Sequence, residues 1–397
     1  MRTIGVLVLV GVLAAGGCAA PAPGPAPAPE SASASAPAPT PTPEPSSPAP
    51  SVSPGAAVDP FDALSLEQRV GLLFVVGSPA DAAGEDALVA IQQHFAGGVF
   101  LSGRSVLGVD ATRAVVDQLT AASASDLPLL VATDQEGGEV QVLRGPGFSE
   151  IPSAVEQGTL DPGELRDRAV QWGAELAAAG VNLDLAPIAD VVASAAAAPG
   201  NAPIGAYHRE FGYDQATVEQ HAGAVVAGLR SAGVLSTPKH FPGLGLVTLN
   251  TDTHAGVTDT QTDAGSPSVG VFRTLIGEGA CCIMMSTANY ALLDPGVPAA
   301  FSPVIVEGLL RHDLGFDGVV ITDDVSAATQ VQAWTPAERA ILAIRAGDDL
   351  VLVSASPEQT LEMMDAVIAT ALTDPEFAAR VDESARRVLA LKVSLAG

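Results

Sequence analysis

The sequence alternates short apolar runs with longer segments in which hydrophobic residues recur at helical spacing. The apolar runs are bounded by Gly, Pro or Asp and predict eight strands, at residues 72–77, 98–103, 127–134, 181–188, 234–241, 280–287, 318–324 and 349–354. Continuous apolar character is typical of parallel strands that are buried on both faces. Eight alternations of strand and helix predict an α/β fold, a single (β/α)8 barrel of the TIM type.

The segments between the strands carry helix signals. Residues 162–180 and 213–233 have apolar residues at helical spacing and end in a glycine, which often follows the last turn of a helix. Residues 357–397 predict two closing helices. No second linker interrupts the chain after residue 58, so residues 59–397 are predicted to form one catalytic domain, the size of a barrel with decorated loops.

Two segments precede this domain. Residues 1–18 predict an export signal, because Arg2 is followed by an apolar run, Ile4 to Ala15, that is too short to span a bilayer permanently. Residues 19–58 consist almost entirely of Ala, Pro, Ser and Thr and have little to bury, so they predict a disordered linker. A passive spacer and a glycosylated stalk would have the same composition.

The end of the export signal resembles a bacterial lipobox, in which a cysteine after small residues is acylated and becomes the mature N-terminus. Cys18 lies at that position. Acylation would tether the protein to the outer face of the cell membrane. A plain secretory signal with an incidental cysteine is the alternative, so we expect an exported protein, either a lipoprotein or a secreted one.

Charge and composition limit the partners. The formal net charge of −27 and the isoelectric point near 4.3 argue against nucleic acid, and they leave the N-terminal lipid as the expected membrane contact. His208, His221 and His312 lack metal-ligand spacing and no phosphate-binding glycine motif occurs, so no metal and no cofactor are predicted. Cys281 and Cys282 are neighbours in a predicted strand and point to opposite faces, so we expect free side chains there.

Polar residues end several of the predicted strands. The carboxyl ends of barrel strands meet on one face, which is where such folds place their chemistry. We therefore predict one pocket built from residues of different strands. These residues end the third strand, follow the fourth, and end the fifth and seventh: Asp134; Asp190; Lys239 and His240; Asp323 and Asp324.

Four motifs connect these strand ends to a known family. They are DQEGGEVQVLRG (134–145), KHFPGLG (239–245), DTH (252–254) and ITDD (321–324). In order and spacing they resemble glycoside hydrolase family 3, specifically its β-N-acetylglucosaminidase branch, and the resemblance covers the whole folded part. It implies an exo-acting, retaining, two-step hydrolysis of terminal β-linked GlcNAc, with peptidoglycan fragments as the expected carbohydrate substrate and a monomer as the expected state.

The resemblance implies that Asp323 is the nucleophile, which forms a covalent glycosyl intermediate. An Asp at the end of a buried strand is held rigidly, which suits this role. The alternative is that Asp323 or Asp324 caps the following helix. We expect one of the two to do chemistry and the other to cap the helix or hydrogen-bond.

The acid/base of this branch is a histidine that an aspartate two positions earlier orients, and His254 with Asp252 matches that dyad. An imidazole titrates near neutral pH, so it can give a proton in the first step and accept one in the second. An idle surface histidine is the alternative. We also expect the loop around this dyad to close over the substrate.

Five further residues match the substrate-holding positions of the family, whose charged and polar groups suit the hydroxyls of a sugar. A buried structural ion network is the alternative for the two arginines. The Arg209 match requires two extra residues in the run NAPIGAYHREFG, which spans residues 201–212. The five residues are Asp134, Arg144, Arg209, Lys239 and His240.

Two residues depart from the family pattern. Leu244 stands where His is common, and Glu139 stands where Arg is common, so the preference beyond the first sugar is open. A β-glucosidase and a GlcNAc phosphorylase of the same family remain alternative functions. So does a non-catalytic wall-binding lipoprotein, although such a protein has no need of Asp323, Asp252 and His254 together.

Overall fold

The structure is a computed structural model that describes residues 60–395. The predicted export signal, the lipidation of Cys18 and the linker at 19–58 lie outside the described residues and stay predictions. Among the helices of the described part, none combines the length and the apolar composition needed to cross a membrane.

All eight predicted strands are confirmed, although the fourth and fifth are short. Every residue of the third, sixth, seventh and eighth strands is buried, which explains their continuous apolar sequence. The eight strands are Phe74–Pro79, Gly98–Ser102, Leu130–Thr133, Leu183–Asp184, Leu235–Ser236, Cys282–Met285, Val319–Thr322 and Val351–Val353.

The strands pair in parallel. Six of them form a continuous sheet in the order eighth, first, second, third, fourth, fifth, and the sixth pairs with the seventh. Isolated parallel bridges join Phe241, after the fifth strand, to Met285 of the sixth, and Ile321 of the seventh to Leu350, before the eighth. The molecule thus has an α/β, TIM-barrel-like fold with a parallel sheet. Three short additional pairings decorate the loops, formed by Gln135–Gly137, Val140–Gln141, Thr258–Asp259, Asn289–Tyr290 and Asp294–Pro298.

Helices follow the strands and begin at the polar caps that the sequence provides. Asp161 accepts hydrogen bonds from the first turn of Pro162–Ala178, and Asp214 caps Gln215–Ser231, so both predicted helices are confirmed. The other α-helices are Leu66–Leu72, Glu85–His94, Val109–Ala121, Ala154–Gln157, Pro267–Gly277, Pro336–Ala346, Thr360–Thr373 and Pro375–Ser394, and Val304–Asp313 is a π-helix. The short 3-10 turns are Pro60–Ala63, Ala198–Gly200, Gly205–Tyr207, Ala299–Phe301, Thr329–Val331 and Pro357–Gln359.

The two predicted closing helices, Thr360–Thr373 and Pro375–Ser394, are confirmed as well, and a buried carboxylate anchors the second of them. Asp349, just before the eighth strand, accepts hydrogen bonds from Ser384 Oγ at 2.9 Å and Arg387 Nη1 at 3.1 Å. Asp349 also accepts from the backbone amide of Val320 at 3.0 Å. The charge is therefore compensated on several sides, and it fixes the last helix against the sheet.

Candidate active site

A cavity of about 350 Å³ opens where the parallel strands end. Its walls include charged residues contributed by separate stretches of the chain, as the strand-end pattern predicted. Three predicted residues, Arg144, Asp190 and His254, are not part of its lining. The predicted residues that do line it are Asp134, Arg209, Lys239, His240, Asp252, Asp323 and Asp324.

Asp323 follows the seventh strand directly. Its backbone amide donates to Met285 O at 3.1 Å, and its Oδ1 accepts from the backbone amide of Asp324 at 2.8 Å. Within the described residues Oδ2 has no hydrogen-bond partner. Burial raises the pKa of Asp323 to about 6, an effect that a positive charge on His240 opposes and the Asp252 carboxylate reinforces.

Asp324 has a different environment. Its carboxylate accepts hydrogen bonds from the backbone amides of Ser354 and Ala327, both at 2.8 Å, and from Ser326 Oγ at 2.6 Å. These bonds join the turn after the seventh strand to the end of the eighth. Asp324 is therefore the aspartate of the pair whose two carboxylate oxygens both accept hydrogen bonds.

A buried ion network forms one wall of the cavity. Lys239 Nζ lies 2.6 Å from Asp134 Oδ1 and 2.6 Å from Glu136 Oε1. Arg209 holds Glu136 with two hydrogen bonds, Nε to Oε2 at 2.8 Å and Nη2 to Oε1 at 2.7 Å. Burial opposes the charges of Lys239 and Glu136, but their partners outweigh it, so the pKa of Lys239 is raised and the pKa of Glu136 falls to about 2. The network presents fixed charges to a ligand.

Glu136 is the residue of this network that the motif interpretation missed. Its side chain is only 4 % exposed, so it acts on a ligand through Lys239 and Arg209. One signal was available in the sequence. Glu136 lies two positions after Asp134, and the alternation of an extended chain puts such residues on the same side.

The side chain of Asp190 orients His240. Its Oδ2 accepts from His240 Nδ1 at 2.8 Å, and its Oδ1 accepts from the backbone amide of Leu244 at 2.6 Å. Because an ionised carboxylate only accepts, the proton of the imidazole lies on Nδ1, which leaves Nε2 for a ligand. Leu244, the first departure from the family motif, lines the cavity with its apolar side chain.

Arg209 reaches the cavity despite the two extra residues before it. The turn Gly205–Tyr207 precedes His208, which has a left-handed backbone with φ of 56°. The side chain of the buried Asn201 accepts from the amide of Gly205 at 2.8 Å and donates to Leu244 O at 2.8 Å. The insertion is therefore accommodated within a loop that packs against the Leu244 segment.

The predicted acid/base dyad is not assembled in this conformation. Asp252 lines the cavity, whereas His254 is exposed. The Nδ1 atom of His254 lies 2.9 Å from Thr253 Oγ1, and no hydrogen bond within residues 60–395 joins it to Asp252. Protein atoms on the cavity side of Asp252 shield its carboxyl from water and raise its pKa, although the residue as a whole is exposed, and the charges of a protonated His240 and of Arg209 oppose this shift.

Arg144 lies just after the hairpin that the short strands Gln135–Gly137 and Val140–Gln141 form. It pairs with Glu150, and its Nη2 donates to Gly138 O at 2.6 Å. Glu139, the second departure from the motif, lies 3.8 Å from His208 Nδ1. A role of Arg144 in substrate binding stays a prediction. Residues 60–395 contain no group of three or more His, Cys, Asp or Glu placed to hold a metal ion.

The pH dependence should reveal the influence of Asp252 on Asp323. If Asp323 is the nucleophile that the sequence predicts, it must be ionised, so kcat/KM is expected to fall as the pH drops through about 6. The charge of Asp252 raises the pKa of Asp323, and Asp252→Asn should therefore move this acid limb to lower pH. The measurement is kcat/KM between about pH 4 and 8 with a dinitrophenyl glycoside, whose departure needs little acid assistance.

The matched control for this profile is Asp317→Asn, which removes an exposed carboxylate just before the seventh strand, at the end of that strand opposite to Asp323 and the cavity. Its acid limb should stay at the wild-type position. A limb that does not move in Asp252→Asn would show that Asp252 leaves the pKa of Asp323 unchanged.

Carboxylates and fixed cations around a pocket at the strand ends of a TIM-barrel-like fold suit glycoside hydrolysis, and the comparisons that follow show this class: the protein is a glycoside hydrolase that acts on O-glycosyl bonds. The particular family follows from comparison. The model of the glycosyl hydrolase family 3 N terminal domain matches residues 65–391, so the chain belongs to glycosyl hydrolase family 3.

Three relatives illustrate the similarity. The chain is 62% identical to a structurally characterised beta-N-acetylhexosaminidase of Beutenbergia cavernae, with a TM-score of 0.82 over 83% of this chain and 99% of that one. It is 34% identical to a beta-hexosaminidase of Stenotrophomonas maltophilia over 75% of this chain and 86% of that protein. It is 33% identical to a beta-hexosaminidase of Vibrio cholerae over 69% of this chain and 80% of that protein.

Proposed function

We propose that this enzyme is an exo-acting, retaining β-N-acetylglucosaminidase. The observation that carries the proposal is Asp323, which lines the cavity and whose Oδ2 has no hydrogen-bond partner within the described residues, while Oδ1 accepts from the Asp324 amide and its backbone amide donates to Met285 O. The names of the relatives above support a hexosamine as the substrate. A cavity of about 350 Å³ is near the lower end of small-molecule sites, about 300 to 1,000 Å³, which suits one terminal sugar.

In the first step, Oδ2 of Asp323 attacks the anomeric carbon while the bond from that carbon to the departing oxygen breaks. His254 gives its proton to the departing oxygen. In the second step, a water attacks the anomeric carbon, His254 takes the proton of that water, and Asp323 leaves as a carboxylate. Two inversions at one carbon give net retention.

The remaining residues bind the sugar. Lys239 offers donors and Asp134 offers acceptors to the hydroxyls, and His240 presents its Nε2 to them. Arg209 is held by Glu136 at the same wall. Because these groups are fixed by one another before substrate arrives, binding costs little reorganisation.

His254 must move for this mechanism to operate. In the structure its Nδ1 contacts Thr253, whereas the proposal requires that Asp252 orient the imidazole toward the cavity. The exposed stretch from Asp252 to Gly256 has the freedom for such a change, since Gly256 adopts a positive φ in open space. Substrate binding would then close the loop and complete the site.

Hydrolysis is a better fit than phosphorolysis. Four carboxylates line the cavity, those of Asp134, Asp252, Asp323 and Asp324. The two cations in its lining are already paired, Lys239 with Asp134 and Glu136, and Arg209 with Glu136. A phosphate ion would enter this negative field without a free cation to receive it, whereas a neutral water meets no such barrier.

The proposal extends to the fold, the location of the protein and the source of its substrate. We take the bridges at Phe241 and Ile321 as support for a single closed barrel of eight strands. We propose, on the sequence signal alone, that the protein is exported and anchored through Cys18, that residues 19–58 form its linker and residues 59–397 its catalytic domain. The same signal supports peptidoglycan fragments as the source of substrate, and a monomer is the state we expect.

The test compares para-nitrophenyl β-glycosides of N-acetylglucosamine and glucose, each with and without phosphate. We expect kcat/KM at least about 100-fold higher for the N-acetylglucosaminide, no effect of phosphate, and a β-configured first product by NMR. A higher rate with the glucoside would make the enzyme a β-glucosidase, and sugar phosphate as product would make it a phosphorylase. Inactivity with both glycosides would favour a wall-binding protein.

A further inference from the structure

The segment that bears Asp252 and His254 is exposed, but it has buried ends. Every residue from Asp252 to Gly256 is exposed, whereas Thr251 on one side and Val257 on the other are each only 2 % exposed. A short exposed segment between two fixed residues can change conformation while its two ends keep their positions. The groups that hold these two points therefore determine where the dyad is presented.

Two consecutive residues, Thr329 and Gln330, hold both ends. The backbone amide of Gln330 donates to Thr251 O at 3.0 Å, while its side chain accepts from Val257 N at 2.8 Å and donates to Val257 O at 3.0 Å. Thr329 donates to Asp252 O twice, from Oγ1 at 2.8 Å and from its backbone amide at 3.2 Å. We call this arrangement the Thr329–Gln330 clamp.

The hydrogen bonds of the clamp are strong because the side chain of Gln330, at its centre, is shielded from water. Gln330 is only 5 % exposed, so water does not compete for its amide group. Removing that amide would leave the backbone N–H and C=O of Val257 without this partner, which is costly in a buried place. The exposed span is thereby tied at both ends, and within it the backbone amides of Thr253 and His254 donate to Asn250 O at 3.2 and 3.0 Å.

The clamp belongs to the same rigid segment as Asp323. The turn Thr329–Val331 follows the strand end that carries Asp323. Gln332 braces the stretch between them, since its Nε2 donates to Ser326 O at 3.1 Å and to Ala328 O at 3.2 Å. One continuous piece of chain thus carries the proposed nucleophile and holds the loop that bears the proposed acid/base.

We infer that Thr329 and Gln330 are positioning residues that set the location of the Asp252–His254 dyad relative to Asp323. The inference rests on the proposed function of that dyad. Neither Thr329 nor Gln330 lines the cavity, so neither contacts the sugar. Proton transfer requires hydrogen-bond reach between donor and acceptor, about 2.6 to 3.2 Å, and a displaced loop loses this before it affects nucleophilic attack.

The experiment compares leaving groups that differ in their need for a proton. The variants are Thr329→Val and Gln330→Met, which keep the shape of the side chains and remove their hydrogen bonds, and Thr329→Ser, which keeps the hydroxyl. The substrates are the phenyl and dinitrophenyl β-glycosides of N-acetylglucosamine. We expect Thr329→Val and Gln330→Met to lose about 10-fold or more in kcat/KM for the phenyl glycoside and about 3-fold or less for the dinitrophenyl glycoside. Thr329→Ser should stay within about 2-fold of the wild type.

The ratio of the two kcat/KM values does not depend on how much of a variant is folded, so partial misfolding does not obscure the result. A uniform loss for both substrates, with Thr329→Ser as impaired as Thr329→Val, would overturn the inference and leave a merely structural role. His254→Ala, measured with the same pair of substrates, tests the proposed function separately. If His254→Ala itself shows no leaving-group dependence, the acid/base assignment fails; if it does and the clamp variants do not, only the inference fails.

Discussion

Replacing Asp323 with asparagine is expected to lower kcat/KM for para-nitrophenyl N-acetyl-β-glucosaminide by on the order of 10⁴-fold or more, and to raise thermal stability in the same variant. The loss of activity follows because a neutral amide cannot form the glycosyl ester through which the proposed reaction passes. With the wild type, a fluorinated N-acetylglucosaminyl fluoride should leave a sugar attached to the tryptic peptide that contains Asp323. Asp323→Asn should stay unlabelled.

The gain in stability follows from the sign of the pKa shift. The folded protein raises the pKa of Asp323 from 3.8 to about 6, so it holds the proton more tightly than the unfolded chain does. Ionising this carboxyl therefore costs nothing below the unfolded-state pKa, and its cost grows until the pH has passed about 6. At neutral pH the cost is roughly 3 kcal/mol, and removing it should raise Tm by a few degrees in a scan near neutral pH.

The neighbouring aspartate provides the matched control. Asp324→Asn should lower Tm, because Ser354 and Ser326 donate to Oδ1 and Ala327 donates to Oδ2, and the amide nitrogen that replaces one of these oxygens cannot accept a hydrogen bond. Two adjacent substitutions of the same chemistry should thus change stability in opposite directions. Unchanged activity in Asp323→Asn would remove it as nucleophile, and a fall in Tm equal to that of Asp324→Asn would make it a structural residue.

Replacing His254 with alanine should produce the second large effect, one that depends on the leaving group. For the phenyl glycoside, whose oxygen must be protonated as it departs, we expect a loss of about 10² to 10⁴-fold in kcat/KM. For the dinitrophenyl glycoside the loss should be about 10-fold or less, since that group departs without a proton. Added azide should speed the reaction of this variant with the dinitrophenyl glycoside by attacking the glycosyl intermediate, and the product should be the β-azide.

His240 is the control for this experiment, because it is the imidazole that the structure does hold in the cavity. It donates to Asp190 from Nδ1 and is buried. If His240 binds the sugar, His240→Ala should weaken kcat/KM for both glycosides alike and gain nothing from azide. A leaving-group dependence that appears in His240→Ala and not in His254→Ala would make His240 the acid/base and leave His254 without that role.

Much of the fold could be predicted because its signals are local. A strand buried on both faces needs an unbroken apolar run, and the cap of a helix needs an acceptor such as Asp161 or Asp214 at its first turn. Both are visible in a few consecutive residues. The lengths of the fourth and fifth strands were harder to predict, since strand pairing in that region depends on segments elsewhere in the chain.

The candidate site was predictable to the extent that it lies at strand ends. Asp134, Lys239, His240 and Asp323 line one cavity because parallel strands bring their carboxyl ends to one face. The environment of each residue was not predictable in this way. Asp323 and Asp324 are identical and adjacent in sequence, yet among residues 60–395 Oδ2 of Asp323 has no hydrogen-bond partner, whereas both carboxylate oxygens of Asp324 accept from backbone amides.

The sequence by itself determined the number of strands and their order along the chain, the strand ends that carry charged residues, and the family to which the four motifs belong. Only the tertiary structure decided which charges compensate each other. His240 and Asp190 are 50 residues apart in the chain, and Val257 and Gln330 are 73 apart. It also separated His254 from Asp252 in this conformation. The physical reason is that hydrogen bonds and ion pairs form between atoms close in space, and no local pattern encodes which distant segments the fold will bring together.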